Sequence, residues 1–239
     1  MKKKLISIVG TILVVAIICI TIVSVSSTSA YAQTSNYIEN KMASLMTEID
    51  ELIKSNDQMA MSSNPYDYIK NSQDYEDIVG TGVKAVKPLY DMLYKSPDAG
   101  LYEYILALAI EDITAQEYVY NVDYGWKNSL EFRMCYEMKV NNSTTQFERI
   151  MNTGELTEDE KIQSITELGV FAVDCLLDEY DKDDSLLPKN VIEKSFANIM
   201  SNAPTEKSSF SIQDLSVWRV ENEEAYRSLK VLNGKSYED

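Results

Sequence analysis

Apolar residues recur at three- and four-residue spacing through most of the chain, as they do on one face of an amphipathic α-helix. Ser143–Gln146 and Thr157–Glu160 are capping-box patterns that begin two of the predicted helices. Eight glycines and five prolines among 239 residues leave little room for a turn-rich β architecture. The pattern predicts an all-α fold, with helices over residues 36–54, 66–70, 73–79, 83–95, 101–114, 128–138, 144–151, 157–169 and 211–232.

One stretch of this pattern occurs twice, 87 residues apart. Gly82–Asp91 and Gly169–Asp178 share Gly, Val, Ala, Val, Leu and Asp at identical offsets. Each copy is predicted to form a helix, a glycine break, a second helix, a turn and a third helix, in repeat units of about 73–114 and 157–201. Because Gly125 lies about midway between the two units, the intervening helices could be a diverged third unit.

The first repeat unit resembles a HEAT repeat. Its first long helix has Pro88 where those repeats bend, Asp98 stands in the tight turn, and the helix over 101–114 is rich in Ala and Leu. Two positions depart from the family pattern, since Tyr102 replaces a common arginine and Cys175 replaces the proline in the second unit. The resemblance implies a helical-repeat array, either an α-solenoid or an irregular helical bundle, with a binding face and no implied catalysis.

The N-terminal segment has the pattern of an export signal. Three lysines precede an uncharged apolar run from Leu5 to Val25, and the small-x-small sequence of a signal peptidase site follows at Ala30 and Ala32. The sequence therefore predicts a signal peptide over residues 1–32 that is cleaved before Gln33. A single helical domain over 33–239 would remain.

An uncleaved membrane anchor is the alternative interpretation of the same segment. The apolar run of about 21 residues is long enough to span a bilayer. Since the lysines before it fix the orientation, the domain is expected to be secreted or extracytoplasmic in either case, with residues 5–25 as the anchor if no cut occurs. The helix over 36–54 would then be a stalk, whereas in a released chain its apolar stripe would pack on the domain.

Charge and composition exclude several classes of function. The chain has 22 basic and 38 acidic side chains, for a formal charge of −16, and the predicted leader contains only basic ones. Nucleic acid is excluded as a partner, because phosphate binding needs clustered Lys and Arg. The chain has no histidine, which excludes Ser-His-Asp and Cys-His nucleophilic sites and the common zinc sites.

The cysteines leave two readings open. Cys19 lies in the apolar run of the leader, so the domain contains only Cys135 and Cys175. These two could form one disulfide in an oxidising compartment, or they could be two buried thiols. Their places on or near apolar helix faces favour buried thiols.

One acidic loop has part of the pattern of a calcium site. Asp181-Lys182-Asp183-Asp184-Ser185 places short carboxylates as in the first positions of a calcium loop. No glycine follows at the sixth position, and the twelfth position is Ile192 in place of a glutamate. We therefore predict a solvated loop between helices and no metal.

Two pairs of neighbouring carboxylates are the candidates for acid–base chemistry. Glu111 with Asp112 and Asp178 with Glu179 could serve as acid and base in a hydrolase. A strongly acidic helical chain contains many such neighbours by composition alone. The sequence therefore predicts neither catalytic nor cofactor-binding residues.

The aromatic residues favour either an interface or a core. Tyrosine suits both, because it combines apolar area with a hydrogen-bonding hydroxyl. Trp126 and Trp218 are predicted to be packing anchors. Seven of the sixteen tyrosines fall in or near the first repeat unit: Tyr66, Tyr68, Tyr75, Tyr90, Tyr94, Tyr102 and Tyr104.

Together these features predict an exported helical-repeat protein of the cell envelope that binds a protein or peptide and is not an enzyme. The alternative is an extracytoplasmic acidic domain that senses a ligand or a cation, either free or tethered to the membrane. Contact with a membrane is expected only through the N-terminal segment, and no cofactor is expected.

Overall fold

Most of the chain that the structure describes is helical, which confirms the all-α fold class. The structure is a computed structural model and describes residues 30–56, 61–121, 124–203 and 215–230. The helices are α1 (30–55), α2 (Tyr66–Ile69), α3 (Gln73–Gly80), α4 (Val86–Lys95), α5 (Leu101–Thr114), α6 (Ser129–Asn152), α7 (Glu158–Glu167), α8 (Val173–Tyr180), α9 (Lys189–Asn202) and α10 (Leu215–Arg227). Short 3-10 helices cover Gly82–Ala85, Gly169–Ala172 and Ser228–Lys230, and strands β1 (Val119–Asn121) and β2 (Tyr124–Gly125) pair antiparallel.

The predicted export segment falls largely outside this description. Residues 1–29, which include Cys19 and the whole apolar run, lie outside the described residues. Among the helices that are described, none has the length and apolar character needed to cross a membrane.

Helix α1 packs on the domain through its apolar stripe. Lys41, beside that stripe, places its Nζ 2.7 Å from a carboxylate oxygen of Asp74 and 2.7 Å from one of Asp77, both on α3. In the structure this helix is part of the fold, as expected for a domain helix and unlike a stalk. Four side chains of the stripe are at most 1% exposed: Ile38, Met42, Leu45 and Ile49.

The two predicted repeat units contain the same order of elements. The first runs through α3, a 3-10 helix, α4 and α5, and the second runs through α7, a 3-10 helix, α8 and α9. In each unit the first helix packs against the last. The 3-10 helices begin at Gly82 with φ 69° and at Gly169 with φ 62°, a left-handed conformation that side chains with a Cβ rarely adopt. The backbone thus explains why glycine occurs at both positions.

Helix α6 corrects one prediction. The sequence predicted two helices, over 128–138 and 144–151, whereas the structure has one helix over Ser129–Asn152. The predicted cap at Ser143 is wrong because its buried Oγ donates to the carbonyl of Val140 at 2.8 Å within the helix. Since this stretch contains neither Gly nor Pro and Phe147 extends its buried face, packing overrides the local cap signal.

The segment around Gly125 corrects a second prediction, that of a third repeat unit. This glycine lies in strand β2, in a small hairpin between α5 and α6, and does not break a pair of helices. With α6 continuous as well, the suggested third unit of helices is wrong. By contrast, the predicted box at the start of α7 is confirmed: Thr157 Oγ1 accepts from the amide of Glu160, and Glu160 Oε2 accepts from the amide of Thr157.

The C-terminal helix is held to α8 by ion pairs. The predicted helix over 211–232 is observed as α10 and the 3-10 helix after it, and its outer residues lie outside the described ranges. Basic side chains of this segment face acidic ones from α8 and the loop that follows. We call these contacts the α8–α10 clamp: Arg219 with Asp181, Arg227 with Asp174 and Asp178, and Lys230 with Asp174.

Replacing Gly82 by alanine tests the left-handed break. A Cβ in this conformation costs about 1 to 2 kcal/mol, so the melting temperature of Gly82→Ala should fall by about 2 to 4 °C per kcal/mol for a chain of this size. The measurement is thermal unfolding followed by far-UV circular dichroism. Gly80→Ala is the matched control, because Gly80 is helical and a Cβ there meets no atom within 4 Å. Equal melting temperatures for the two variants would contradict the strained position.

Candidate functional site

In the suggested calcium loop, the first aspartate is paired with an arginine of α10. Asp181 accepts two hydrogen bonds from the Arg219 guanidinium, at 2.6 and 2.8 Å, and these contacts lower the pKa of Asp181. Asp183 and Asp184 are exposed in the following turn. In the described part of the chain, no three carboxylate or thiol side chains are grouped so as to hold a metal ion.

The candidate acid–base pairs are used in structural hydrogen bonds. Glu111 accepts from the indole N–H of Trp126 at 3.2 Å, and Asp112 accepts from the hydroxyl of Tyr75 at 2.7 Å. Burial raises the pKa of Glu111, and the Trp126 hydrogen bond opposes that shift. Both carboxylates therefore fix aromatic side chains in the fold.

The second pair differs in burial. Glu179 is 4% exposed and accepts from Lys182 at 2.5 Å and from Ser185 at 2.8 Å, whereas Asp178 pairs with Arg227 near the surface. Burial raises the pKa of Glu179, but its hydrogen bonds to Lys182 and Ser185 outweigh burial and leave the pKa lowered. These contacts close the loop after α8.

The two cysteines of the domain are free thiols on different cavities. Cys135 is buried on α6, and Cys175 is partly buried on α8. Lys230 Nζ lies 3.2 Å from Cys175 Sγ. Burial raises the pKa of both thiols, and Lys230 partly offsets this effect at Cys175.

Aromatic residues occupy both environments that the sequence allowed. Trp126 and Trp218 are 8% and 7% exposed and pack in the core, as predicted for anchors. Tyr90 is buried as well, whereas Tyr66 and Tyr94 remain exposed by 45% and 37%. The tyrosines of the first unit are thus divided between core and surface.

A concave feature of the described structure runs along α6. This cavity of about 780 Å³ lies between α6, α7 and the segment at β1, and we call it the α6 groove. Buried Cys135 and Ile150 lie at its base. Its polar α6 residues fall at spacings of three and four, which place them on one helix face: Lys139, Asn142, Gln146 and Arg149.

Two cations of the α6 groove lack an acidic partner. Lys139 and Arg149 form no ion pair with any described residue, whereas the basic residues of the α8–α10 clamp are paired. Ten helical residues separate them, so their Cα atoms are about 15 Å apart. Burial lowers the pKa of Lys139, and the charge of Glu117 partly opposes that effect. The groove therefore contains two cations without ion-pair partners among the described residues, in a lining that also includes Glu117 and Glu167.

An exposed apolar stripe leads into the groove. Leu130, Met134 and Met138 follow one another at four-residue spacing on α6 and are 58%, 47% and 46% exposed. Val119 on β1 is 51% exposed, and both Val119 and Met138 line the groove. Contiguous exposed apolar side chains, methionine above all, are typical of surfaces that bind other proteins.

A second cavity, of about 620 Å³, lies on the other side of α6 against α8. The basic residues of its lining are paired, since Arg227 and Lys230 contact Asp174 in the α8–α10 clamp and Lys182 contacts Glu179. The cations in this cavity are therefore neutralised within the protein. The α6 groove is the better candidate for a binding site.

The predicted cleavage residues lie at the start of the described chain. Ala30, Ala32 and Gln33 are exposed and helical within α1. Tyr31, between the two alanines, contacts helix α4. The structure thus presents the predicted peptidase site as a helix on the surface of the domain.

No family model, curated protein or solved structure matches this chain.

Sequence reasoning missed the α6 groove because it divided α6 into two helices. Lys139 and Arg149 fall on one face only if the helix continues through Ser143. Positions 139, 142, 146 and 149 are three or four residues apart, so a continuous helix would have placed these polar side chains on one face. The groove's other wall, α7, depends on tertiary packing that no local pattern encodes.

Replacing Glu111 by glutamine tests the structural role of this buried carboxyl. With its pKa raised in the folded state, the free energy of unfolding should fall as the pH rises from the ordinary value of about 4.3 through the raised pKa. Glu111→Gln keeps an acceptor for Trp126 and removes the charge. We therefore expect it to be more stable than the wild type at neutral pH and to lose that advantage in acid.

The free energy of unfolding of Glu111→Gln and of the wild type is measured by urea unfolding at neutral pH and at a pH below about 4.3. Glu148→Gln is the control, because Glu148 is exposed on α6 and its carboxylate has no hydrogen bond in the described structure. A stability gain that is the same at both pH values would speak against desolvation of Glu111 as the cause.

Proposed function

We propose that this protein is a non-catalytic binding protein that holds a protein or peptide segment along α6. The observation that carries the proposal is the continuity of the exposed stripe at Leu130, Met134 and Met138 with a groove that contains unpaired Lys139 and Arg149. The stripe supplies apolar area, and the groove supplies hydrogen-bonding amides and positive charge. These are the components of an interface with an apolar centre and a polar rim.

The charges of the groove define the partner's chemistry. Lys139 is partly buried and forms no ion pair with a described residue, and the charge of Glu117 offsets its burial only in part, so a carboxylate of the partner would stabilise its ammonium group. Asn142 and Gln146 can donate and accept hydrogen bonds with a peptide backbone. We therefore propose a segment with apolar side chains and at least one acidic group.

The repeat architecture supports the same proposal. The two units that begin with α3 and α7 share the order of their elements and the left-handed glycines, and we propose that they are diverged copies of a HEAT-like unit. Helical repeats of this kind present extended faces to binding partners. Here α6 lies between the two copies in the chain and exposes the face in question.

We propose, from the sequence pattern of residues 1–32, that the domain is exported to the cell envelope. The lysines of the leader fix its orientation whether the chain is cut before Gln33 or stays anchored through residues 5–25. The partner would then be another extracytoplasmic protein or peptide.

Selection of binders from a random peptide library with the purified chain tests this function. We expect selected peptides to combine apolar and acidic residues. Fluorescence anisotropy should show that Met138→Asp and Arg149→Glu each weaken their binding at least about tenfold, because one removes apolar area and the other reverses a charge. Binding that is unaffected by both variants would sink the proposal.

Matched controls place the same chemical changes elsewhere on the surface. Val220→Asp changes an apolar residue of α10 that is 89% exposed, and Lys194→Glu reverses an exposed charge on α9. Both controls should bind the selected peptides as the wild type does. Equal losses in the controls would indicate a general charge effect in place of a site on α6.

The pH dependence of peptide binding tests the role of Lys139. Its ammonium group attracts a carboxylate only while protonated, so affinity should fall as the pH rises through the lowered pKa, below the ordinary lysine value of about 10.4. Lys139→Met should weaken binding and remove this decline. The same decline in wild type and Lys139→Met, measured by anisotropy across a pH series, would exclude Lys139 as the cause.

A further inference from the structure

The first turn of α1 is fastened to the domain by Tyr31. Its hydroxyl donates to Asp91 Oδ2 at 2.6 Å, across 60 residues of sequence. Lys87 completes the contact, with its Nζ 2.6 Å from the same carboxylate oxygen and 4.9 Å from the centre of the Tyr31 ring. Hydrogen bonding to a carboxylate and a cation over an aromatic ring both favour the docked tyrosine.

The Asp91 carboxylate is held in a largely buried place. The residue is 8% exposed, and its Oδ1 is buried without a hydrogen-bond partner in the described structure. Burial, followed by the neighbouring Asp91, raises the pKa of the Tyr31 phenol, so the phenol stays a hydrogen-bond donor. If Tyr31 moved away, Lys87 would be the remaining partner of the Asp91 carboxylate among the described residues.

This contact lies inside the predicted peptidase site. Tyr31 stands between Ala30 and Ala32, and the bond to be cut, Ala32–Gln33, lies in the same helical turn. A peptidase needs access to the peptide backbone, whereas a helix keeps its backbone hydrogen-bonded to itself. Cleavage of the folded chain therefore requires local opening, and its rate depends on how often that opening occurs.

We propose that docking of Tyr31 on Asp91 and Lys87 competes with cleavage at Ala32–Gln33, so that chains which fold before processing keep their N-terminal segment. This inference rests on the proposed export signal and not on the peptide-binding site. The order of the two events sets the outcome. Cutting before folding releases a domain that begins at Gln33, and folding before cutting retains the tethered form.

Cleavage of the folded full chain by purified signal peptidase tests the competition. The full chain in detergent micelles is incubated with the enzyme, and the product is identified by an N-terminus at Gln33. Asp91→Asn weakens the dock from a position far from the bond that is cut. Loss of a partly exposed, charge-assisted hydrogen bond should speed cleavage by about three- to tenfold. Asp98→Asn, an exposed carboxyl in the turn after α4, should leave the rate unchanged.

Tyr31→Phe separates undocking from general unfolding. It removes the hydroxyl at a surface position, and peptides of residues 20–40 with Tyr or Phe at position 31 correct for recognition by the peptidase. After that correction, Tyr31→Phe should also be cut about three- to tenfold faster in the folded chain.

Three results would overturn the inference. One is a cleavage rate of Asp91→Asn equal to that of the wild type. Another is faster cleavage of Asp91→Asn without faster cleavage of Tyr31→Phe, which would indicate that Asp91→Asn acts by unfolding the domain. The third is the absence of cleavage at Gln33 in every variant. None of these results bears on peptide binding at α6, so the two proposals can fail separately.

Discussion

The fold depends on two aromatic side chains on one face of α6. Tyr136 stacks on Tyr90 of α4 with ring centres 4.8 Å apart and meets Phe171 of the second repeat unit edge-on at 5.6 Å. One turn earlier, Phe132 contacts Trp126 and the hairpin residue Tyr118 at about 5 Å. The helix between the two units therefore helps to join them into one core, as does α10, which packs against the 3-10 helix of the first unit and α8 of the second. Each such aromatic pair contributes about 0.5 to 1.5 kcal/mol beyond the burial of its area.

This arrangement explains why the apolar stripe of α6 stays uncovered. A 24-residue helix is about 36 Å long, and its neighbours cover only the face that bears Phe132, Tyr136 and Phe147. The remaining face keeps its apolar stripe exposed to water, while partly buried Lys139 and exposed Arg149 lie at the edge of the covered face. Because the aromatic contacts hold the helix rigid, that face can be presented without a large ordering cost on binding. The contacts that form the core therefore also determine which part of α6 stays exposed.

Local patterns predicted those parts of the fold that local physics determines. The bounds of α5, the box at Thr157 and the repeated glycines follow from periodicity, capping and left-handed backbone geometry. The single helix α6 could not be predicted in the same way, because Ser143 and its neighbours favour a cap unless tertiary packing buries them. The hairpin at Gly125 was missed for a related reason, since its strands are only two and three residues long. The candidate site was not predicted, because its residues share one face only when α6 is a single helix.

Helix α4 contacts both the N-terminal end of the described chain and α6. Asp91 accepts from Tyr31, while its neighbour Tyr90 is 1% exposed, stacks on Tyr136 and donates to Glu137 at 2.8 Å. Burying an aromatic ring of this size stabilises by about 1.5 to 3 kcal/mol, whereas a partly exposed hydrogen bond contributes about 1 kcal/mol. Since the larger contribution comes from Tyr90, α4 should keep its place when Tyr31 is removed. The proposed binding face of α6 would then be the same in the proposed released and tethered forms.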